Sequence, residues 1–440
     1  MSGLGVGLTM FGGMLVLMAL RVPIAIAMFV PGAFGYVALA GDAALLNHLK
    51  GMAYARYSVY DLSVIPLFLL MGEFATKGGL SRALFKCGNA LLGHFRGGMA
   101  MAAILACAAF GAVCGSSVAT AATVGRVALP EMRRYNYSGR LATATLAACG
   151  SLGILIPPSV VLVVYAILTE QNIAKLFAAA FIPGFIAAAG YIAAIAIYVR
   201  LYPGHGPAQP RHSRAELLES LVDVWPVAAI FFVVFGGIYG GLFTPTEGAA
   251  IGAASTFFTA LAKRELDADG AARCCYGTAQ TTGMIFMIFL GADMLNSALA
   301  LSQMPNQLAN IVSSLPMPPL MVIVCILLFY VLLGCVMDEL SMIILTVPVL
   351  FPSVMALDLW GLNPSDKAIW FGILVLCVVE FGLIAPPVGL NVYVINSLAR
   401  DVPMSETYRG VVPFLISDVV RVTLLMCFPI LSLWLVHLIA

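Results

Sequence analysis

Apolar segments separated by short polar joints run along the whole chain, at about 4–20, 22–41, 61–76, 98–113, 117–130, 141–170, 173–199, 221–241, 245–262, 275–296, 317–336, 340–356, 368–399 and 411–438. A stretch such as 173–199 is long enough to span about 30 Å of hydrocarbon, so the pattern predicts an all-α polytopic membrane protein. The 98–113/117–130 and 317–336/340–356 pairs are each short for a span. Gly115-Ser116-Ser117 joins the first pair and Met337-Asp338-Glu339 the second. Such pairs predict two re-entrant hairpins whose tips meet near mid-membrane. Segments 43–60, 81–96 and 297–314 mix polar and apolar residues, as expected of helices lying along the interface or docking a partner subunit.

Two of the longer segments carry one signature. Gly153-Ile-Leu-Ile-Pro157-Pro158 and Gly382-Leu-Ile-Ala-Pro386-Pro387 share G-x-x-x-P-P, one copy in each half of the 440 residues. Proline lacks a backbone donor and clashes with the preceding turn, so a proline pair breaks a helix. In hydrocarbon such a break is tolerated where its freed carbonyls face protein or a water-filled cavity. One break per half points to a transporter's binding site.

Counting 141–170 and 368–399 as single broken spans predicts about ten crossings plus the two hairpins. That topology puts 17 of the 22 lysines and arginines on one side, which the positive-inside rule makes cytoplasmic. Both termini are then expected outside. The first hairpin, flanked by Arg96, Arg126 and Arg133, enters from the cytoplasm; the second, with little basic flank before Lys367, enters from outside. The start of the chain has no basic region before its apolar run, so the first helix reads as a retained anchor rather than a signal peptide.

Opposite entry is what inverted repeats require. Gly72 and Gly291, Gly115 and Gly334, Pro23 and Pro245, and the two proline pairs recur in the same order. The spacing of the first three pairs is nearly constant, and the wider spacing of the prolines predicts an insertion around 357–366. The predicted organisation is a first repeat over 1–200 (hairpin 98–130, broken helix 141–170), a cytoplasmic linker with a surface helix over 201–220, and a second repeat over 221–440 (hairpin 317–356, broken helix 368–399).

Composition agrees: 62% of residues are hydrophobic and 10% charged, with a mean hydropathy of +1.02, against about a quarter charged in soluble domains. The net charge of +1 argues against a nucleic-acid partner. The ten cysteines read as small buried hydrophobes, and the five histidines have no ligand spacing. No G-x-x-x-x-G-K-[ST] loop is present, which argues against ATP-driven transport by this chain.

The chemistry is expected at the tips and breaks. The first break exposes carbonyls from about Gly153 to Ile156, and the first tip offers Gly115, Ser116, Ser117 and Thr120 at a half-helix N-terminus suited to a carboxylate. These oxygens suit sodium, a hard cation. The second site sets Gly334, Asp338 and Ser341 against Gly382, Ala385 and Val388. Asp338, an intramembrane acid, is a sodium ligand, a helix cap or both. Glu380, Glu73, Asp293 and Glu247 are expected in structural roles, Glu247 at a capped helix start after Thr244.

Four motifs together resemble the large membrane subunit of tripartite ATP-independent periplasmic (TRAP) transporters: Gly115-Ser-Ser-Val-Ala-Thr-Ala-Ala-Thr-Val-Gly125, Gly153-Ile-Leu-Ile-Pro-Pro-Ser159, Phe243-Thr-Pro-Thr-Glu-Gly248 and Gly382-Leu-Ile-Ala-Pro-Pro-Val-Gly389. The resemblance covers essentially the whole chain. It implies an elevator-type protein without catalytic residues, in which both hairpins and both broken helices move against a scaffold. It also implies sodium-coupled uptake of an organic acid across a bacterial inner membrane, with a small four-helix membrane subunit and a periplasmic substrate-binding protein as partners. The implied first sodium site comprises Gly115, Ser116, Ser117, Gly153, Ile156 and Pro158, and the second Gly334, Asp338, Gly382, Ala385 and Val388. Ser117, Thr120, Ser159, Ser341 and Asn391 are the implied substrate contacts, with no other metal or cofactor. One departure matters: the residue before the second proline pair is often threonine in that family, and here it is Ala385. The alternative is a stand-alone sodium–dicarboxylate or anion transporter of related architecture; a membrane enzyme finds no cofactor or nucleophile constellation to support it.

Overall fold

The computed structural model describes residues 3–314, 316–335 and 337–439, and among these every regular element is helical. Met1, Ser2 and the predicted segment end at 336 lie outside the described residues. The chain opens with α1 (Gly3–Ala19), α2 (Ile24–Ala40) and α3 (Asp42–Tyr57), the last two joined through Gly41 at φ +88°. Next come α4 (Val64–Lys77) and α5 (Leu80–Leu92). α5 buries Leu80, Leu84 and Phe85 while Arg82 and Lys86 face outward to pair with Glu265 and with Glu219 and Asp223. That split separates the apolar and polar residues that the sequence mixes over 81–96.

The first hairpin is α6 (Gly98–Cys114) and α7 (Ser117–Arg134); the first broken helix is α8 (Gly139–Leu155) and α9 (Val160–Thr169), bent by 42°. α10 (Ile173–Leu201) follows. The second half begins with α11 (Arg214–Tyr239), α12 (Pro245–Ala262), α13 (Ala268–Leu301) and the short α14 (Met304–Ser314). Its hairpin is α15 (Pro319–Gly334) and α16 (Glu339–Met355), its broken helix α17 (Pro364–Ile384) and α18 (Leu390–Leu398), followed by α19 (Met404–Cys427) and α20 (Ile430–Ile439).

Two boundaries differ from expectation. The helix predicted inside 201–220 is not separate: the Ser213/Glu216 capping box starts α11 at Arg214, and the helix runs on without interruption into the apolar span. The predicted 411–438 segment is two helices, because Pro429 removes a donor and Phe428 leaves helical geometry at φ −127°, ψ 78°. The Thr244/Glu247 box does cap α12, and Asp293 pairs with Arg56 across α13 and α3.

Helices α1, α2, α4, α12 and α13 pack chiefly on one another, and α11 lies between α12 and α5. The hairpins and broken helices form a second group with α10 and α19, in which α8 and α17 are buried along almost their whole length. Such all-round burial explains why these helices read as uniformly apolar rather than amphipathic.

Candidate functional site

Each hairpin tip is seated in a helix break by glycine. Gly115, at φ +67°, ends α6 in the left-handed region that glycine adopts without strain. A Cβ there would come within 2.9 Å of the Pro158 carbonyl oxygen. A Cβ at Gly153 would meet the Thr120 hydroxyl and, at 2.8 Å, the Ser116 carbonyl oxygen; one at Gly111 would lie 2.7 Å from the Gly153 Cα. At the second site a Cβ on Gly382 would lie 2.6 Å from the Cα and carbonyl carbon of Gly334. Tip backbone therefore lies directly on break backbone in both halves.

These contacts refine the internal match. Gly111 with Gly153 corresponds to Gly334 with Gly382, so Gly334 is the counterpart of Gly111 rather than of Gly115. The caps agree: Ser116 caps α7 and Asp338 caps α16. Ser117 and Glu339, the first residues after those caps, meet across the halves with the Ser117 hydroxyl 3.1 Å from Glu339 Oε1. Both half-helix N-termini thus converge on one place, and the two predicted tips meet.

The cap chemistry differs. Ser116 Oγ accepts from the Ala119 N–H at 3.4 Å. Asp338 accepts from the Ser341 N–H at 3.0 Å and from the Ser341 hydroxyl at 2.6 Å. Asp338 is therefore a cap, and Ser341 is engaged by it. Ser159 caps α9 by accepting from the Leu162 N–H at 3.3 Å.

Two predicted substrate contacts stand out. Thr120 Oγ1 and both amide atoms of Asn391 are buried with no hydrogen-bond partner. Buried polar atoms are ordinarily satisfied, so such vacant groups mark a place for an ion, water or ligand. Both residues face the same stretch of α8: a Cβ on Gly150 would be 2.9 Å from Asn391 Nδ2 and 3.0 Å from the Ser117 carbonyl oxygen, and Thr120 faces Gly153 one turn on. The structure thus gathers Ser117, Thr120, Gly153 and Asn391, with Glu339 at the edge, whereas Ser159 and Ser341 are committed to helix starts.

The two breaks are finished differently. Residues 151–160 are all buried, including Ile156 and Pro158. At the second break Ala385 and Gly389 are buried but Pro386 and Pro387 are exposed. The Tyr408 hydroxyl reaches the carbonyls of Pro387 at 3.1 Å and Val388 at 2.5 Å, and the Cys335 thiol donates to the Pro386 carbonyl at 3.3 Å. Both proline–proline bonds, Pro157–Pro158 and Pro386–Pro387, are cis. Tyr408 and Cys335 carried no spacing signal in the sequence. Glu339 was visible only as a joint residue, although an acid at a membrane hairpin tip is itself a functional flag.

A family model described as "Tripartite ATP-independent periplasmic transporter, DctM component" matches residues 11–431. The chain is 37% identical over 375 residues to the C4-dicarboxylate TRAP transporter large permease protein of Pseudomonas aeruginosa, covering 85% of this chain and 86% of that one. It is 29% identical over 392 residues to the isethionate TRAP transporter permease protein of Oleidesulfovibrio alaskensis, covering 89% of this chain and 60% of that one. Its fold is similar to that of the Alcanivorax borkumensis YdaH transporter, with a TM-score of 0.65 at 14% identity over 88% of this chain and 89% of that one. The tips, the breaks and the whole-length match lead to one assignment: the chain belongs to the TRAP transporter family as a large permease subunit, a multi-pass membrane transport protein and not an enzyme.

Proposed function

We propose that this permease drives sodium-coupled uptake of a small organic acid across a bacterial inner membrane, with both termini on the periplasmic side. Large permeases of this family work with a substrate-binding protein and a small membrane subunit; here these would be a periplasmic binding protein that delivers the acid and a four-helix partner. The hairpins and broken helices would carry substrate and sodium together, as an elevator moving against the α1, α2, α4 and α11–α13 scaffold.

The observation that carries this reading is the convergence of both half-helix N-termini beside vacant buried oxygens. Gly115, Ser116, Ser117, Gly153, Ile156 and Pro158 supply carbonyl and hydroxyl groups at the first site; Gly334, Asp338, Gly382, Ala385 and Val388 supply carbonyls and a carboxylate at the second. All-oxygen donor sets suit hard cations. None of these residues is basic, and Asp338 and Glu339 add negative charge, so an anionic substrate needs cations bound beside it. Sodium fills that role, and coupling follows because the acid binds well only to the sodium-loaded site. Relatives are named for a C4-dicarboxylate and for isethionate, both small organic anions, which supports the same substrate class.

The test is uptake into proteoliposomes holding the permease with its membrane partner, supplied with the cognate binding protein and radiolabelled acid. Uptake is expected only with an inward sodium gradient and the binding protein present. Uptake that persists when choline replaces sodium, or without the binding protein, overturns the proposal.

A further inference from the structure

A fully buried charge cluster lies between the two broken helices, outside the tips. Arg421 of α19 places Nη2 3.0 Å from Glu380 Oε2 of α17 and 3.0 Å from Asp418 Oδ1, one turn back on its own helix. Tyr191 of α10 donates its hydroxyl to Asp418 Oδ2 at 2.9 Å and lies 3.1 Å from the Ser151 hydroxyl of α8. The side chains of Arg421, Glu380 and Asp418 are 2%, 0% and 1% exposed. The chain Ser151–Tyr191–Asp418–Arg421–Glu380 therefore runs from one broken helix to the other.

Its ends are equivalent in the repeat. Ser151 stands six residues before Pro157 and Glu380 six before Pro386. Each is also two residues before the glycine, Gly153 or Gly382, that takes the hairpin tip. The cluster thus fixes the two tip-receiving turns relative to each other. It also holds two acids against one base, so with all three ionised it carries a net negative charge in a dry interior. Arg421 additionally borders the apolar groove between α10 and α19, whose other charged lining groups are Arg140 and Arg409. Among the described residues Glu380 and Asp418 pair with no cation other than Arg421, and Glu380 Oε1 has no hydrogen-bond partner.

We propose that Glu380, Asp418 and Arg421 are positioning residues for sodium: they clamp the two breaks together and set the cation affinity of the Gly382–Val388 turn without touching the ion. Buried charge acts over several ångströms in a low-dielectric interior. The C-terminal end of α17, where carbonyls point outward, adds its own negative dipole at the same place. The cluster is an outer shell that aims the carbonyl ligands and enriches the site in negative potential. This rests on the sodium-coupled reading above.

The experiment measures sodium half-saturation and substrate KM in the same proteoliposomes for wild type, E380Q, R421Q and the E380Q/R421Q double variant. E380Q keeps the shape but cancels the net charge; the double variant restores the wild-type net charge through Asp418. Loss of an outer-shell partner at a metal site costs roughly 10–100-fold in affinity, so E380Q is expected to raise sodium half-saturation about tenfold. Substrate KM at saturating sodium should stay within about twofold of wild type on the same scale. The double variant is expected to recover most of the loss. An E380Q protein with unchanged sodium half-saturation, or a double variant worse than both singles, overturns the proposal.

If E380Q fails to insert, Tyr191→Phe cuts the same chain without changing charge and is expected to raise sodium half-saturation; unchanged affinity overturns the clamp. Hydrogen–deuterium exchange over residues 381–389, measured in choline buffer, separates the two proposals. Faster exchange in the inserted variant supports the clamp even if wild-type uptake proves sodium-independent; unchanged exchange overturns it whatever drives uptake.

Discussion

The two breaks share a backbone device and differ in everything built around it. In each, a tip glycine or carbonyl presses on a glycine two residues after the Ser151 or Glu380 position. The first break is buried throughout, is capped by serines and leaves Thr120 and Asn391 unpartnered beside it. The second exposes Pro386 and Pro387, is capped by an aspartate and has its carbonyls at 386, 387 and 388 held by Cys335 and Tyr408. A duplicated fold therefore fixes where the oxygens are, while local side chains decide how each set is charged, covered and held. The first break leaves the Thr120 hydroxyl and the Asn391 amide unpartnered beside it; the second has its loop held by Cys335 and Tyr408.

The largest expected effects fall on the shared device. Gly382→Ala puts a methyl group 2.6 Å from Gly334 backbone, which has no side-chain torsion to turn aside. Overpacking of this kind costs about 1–3 kcal/mol or more. Uptake should be lost and the melting temperature in detergent lowered by several degrees. Gly153→Ala should behave alike, with a smaller shift, because, of the groups it meets, the Thr120 side chain can rotate and only the Ser116 carbonyl oxygen, at 2.8 Å, is backbone. A Gly382→Ala protein that melts with wild type would break the claim that the second tip and break meet backbone to backbone.

The caps come next, and here the sites should part. Asp338→Ala removes a cap worth about 1 kcal/mol as well as a carboxylate. Asp338→Asn keeps a good capping side chain and removes only the charge. If Asp338 also faces sodium, Asp338→Asn should raise sodium half-saturation by about tenfold, the equivalent of about 1.4 kcal/mol, with little change in melting temperature. Ser116→Ala should cost only about 0.5 kcal/mol, since its cap bond is long at 3.4 Å. Equal sodium responses in Asp338→Asn and Ser116→Ala would erase the charge asymmetry between the sites.

Tyr408→Phe tests the pinning of the second break. It releases the Pro387 and Val388 carbonyls and removes hydrogen bonding worth about 1 kcal/mol. The looser turn should bind sodium about fivefold more weakly. Sodium half-saturation measured at saturating substrate checks this, and tighter binding would mean that Tyr408 competes with the ion rather than preparing its ligands.

What the sequence made legible follows from the same contrast. Proline and glycine act on the backbone locally, so both breaks, both hairpins and the Thr244/Glu247 cap could be placed from residue type and spacing alone. Side chains that arrive from another helix leave no such trace. Tyr408 reaches the second break from α19, some twenty residues on, and nothing in its neighbourhood distinguishes it from an interfacial tyrosine. Arg421 was visible as a charge inside an apolar segment, and Asp418 three residues earlier is a helical pairing distance. Their link to Glu380 needed the packing of α17 against α19. The pairing of Gly115 with Gly334 by spacing failed for a related reason: the first tip carries two glycines, Gly111 and Gly115, and only the contacts with Gly153 and Gly382 show which glycine does the docking.

The smallest expected effect is the most pointed about the asymmetry. Ala385 precedes the second proline pair and Ile156 the first; both adopt extended geometry, at φ −80°, ψ 145° and φ −84°, ψ 119°. Ile156 shows that this backbone accepts a β-branched side chain, which favours that region of torsion space. Ala385→Thr therefore should fold, although a residue only 4% exposed leaves limited room for two more heavy atoms. If sodium at the second site relies on backbone carbonyls and Asp338, an added hydroxyl should strengthen it modestly, lowering half-saturation about twofold, or about 0.4 kcal/mol. In the Asp338→Asn background the same substitution should recover more, because the hydroxyl then replaces a lost oxygen ligand instead of supplementing a complete set. A threonine that helps equally in both backgrounds would mean that Asp338 only caps α16, and the charge difference between the two sites would then lie with Glu339 alone.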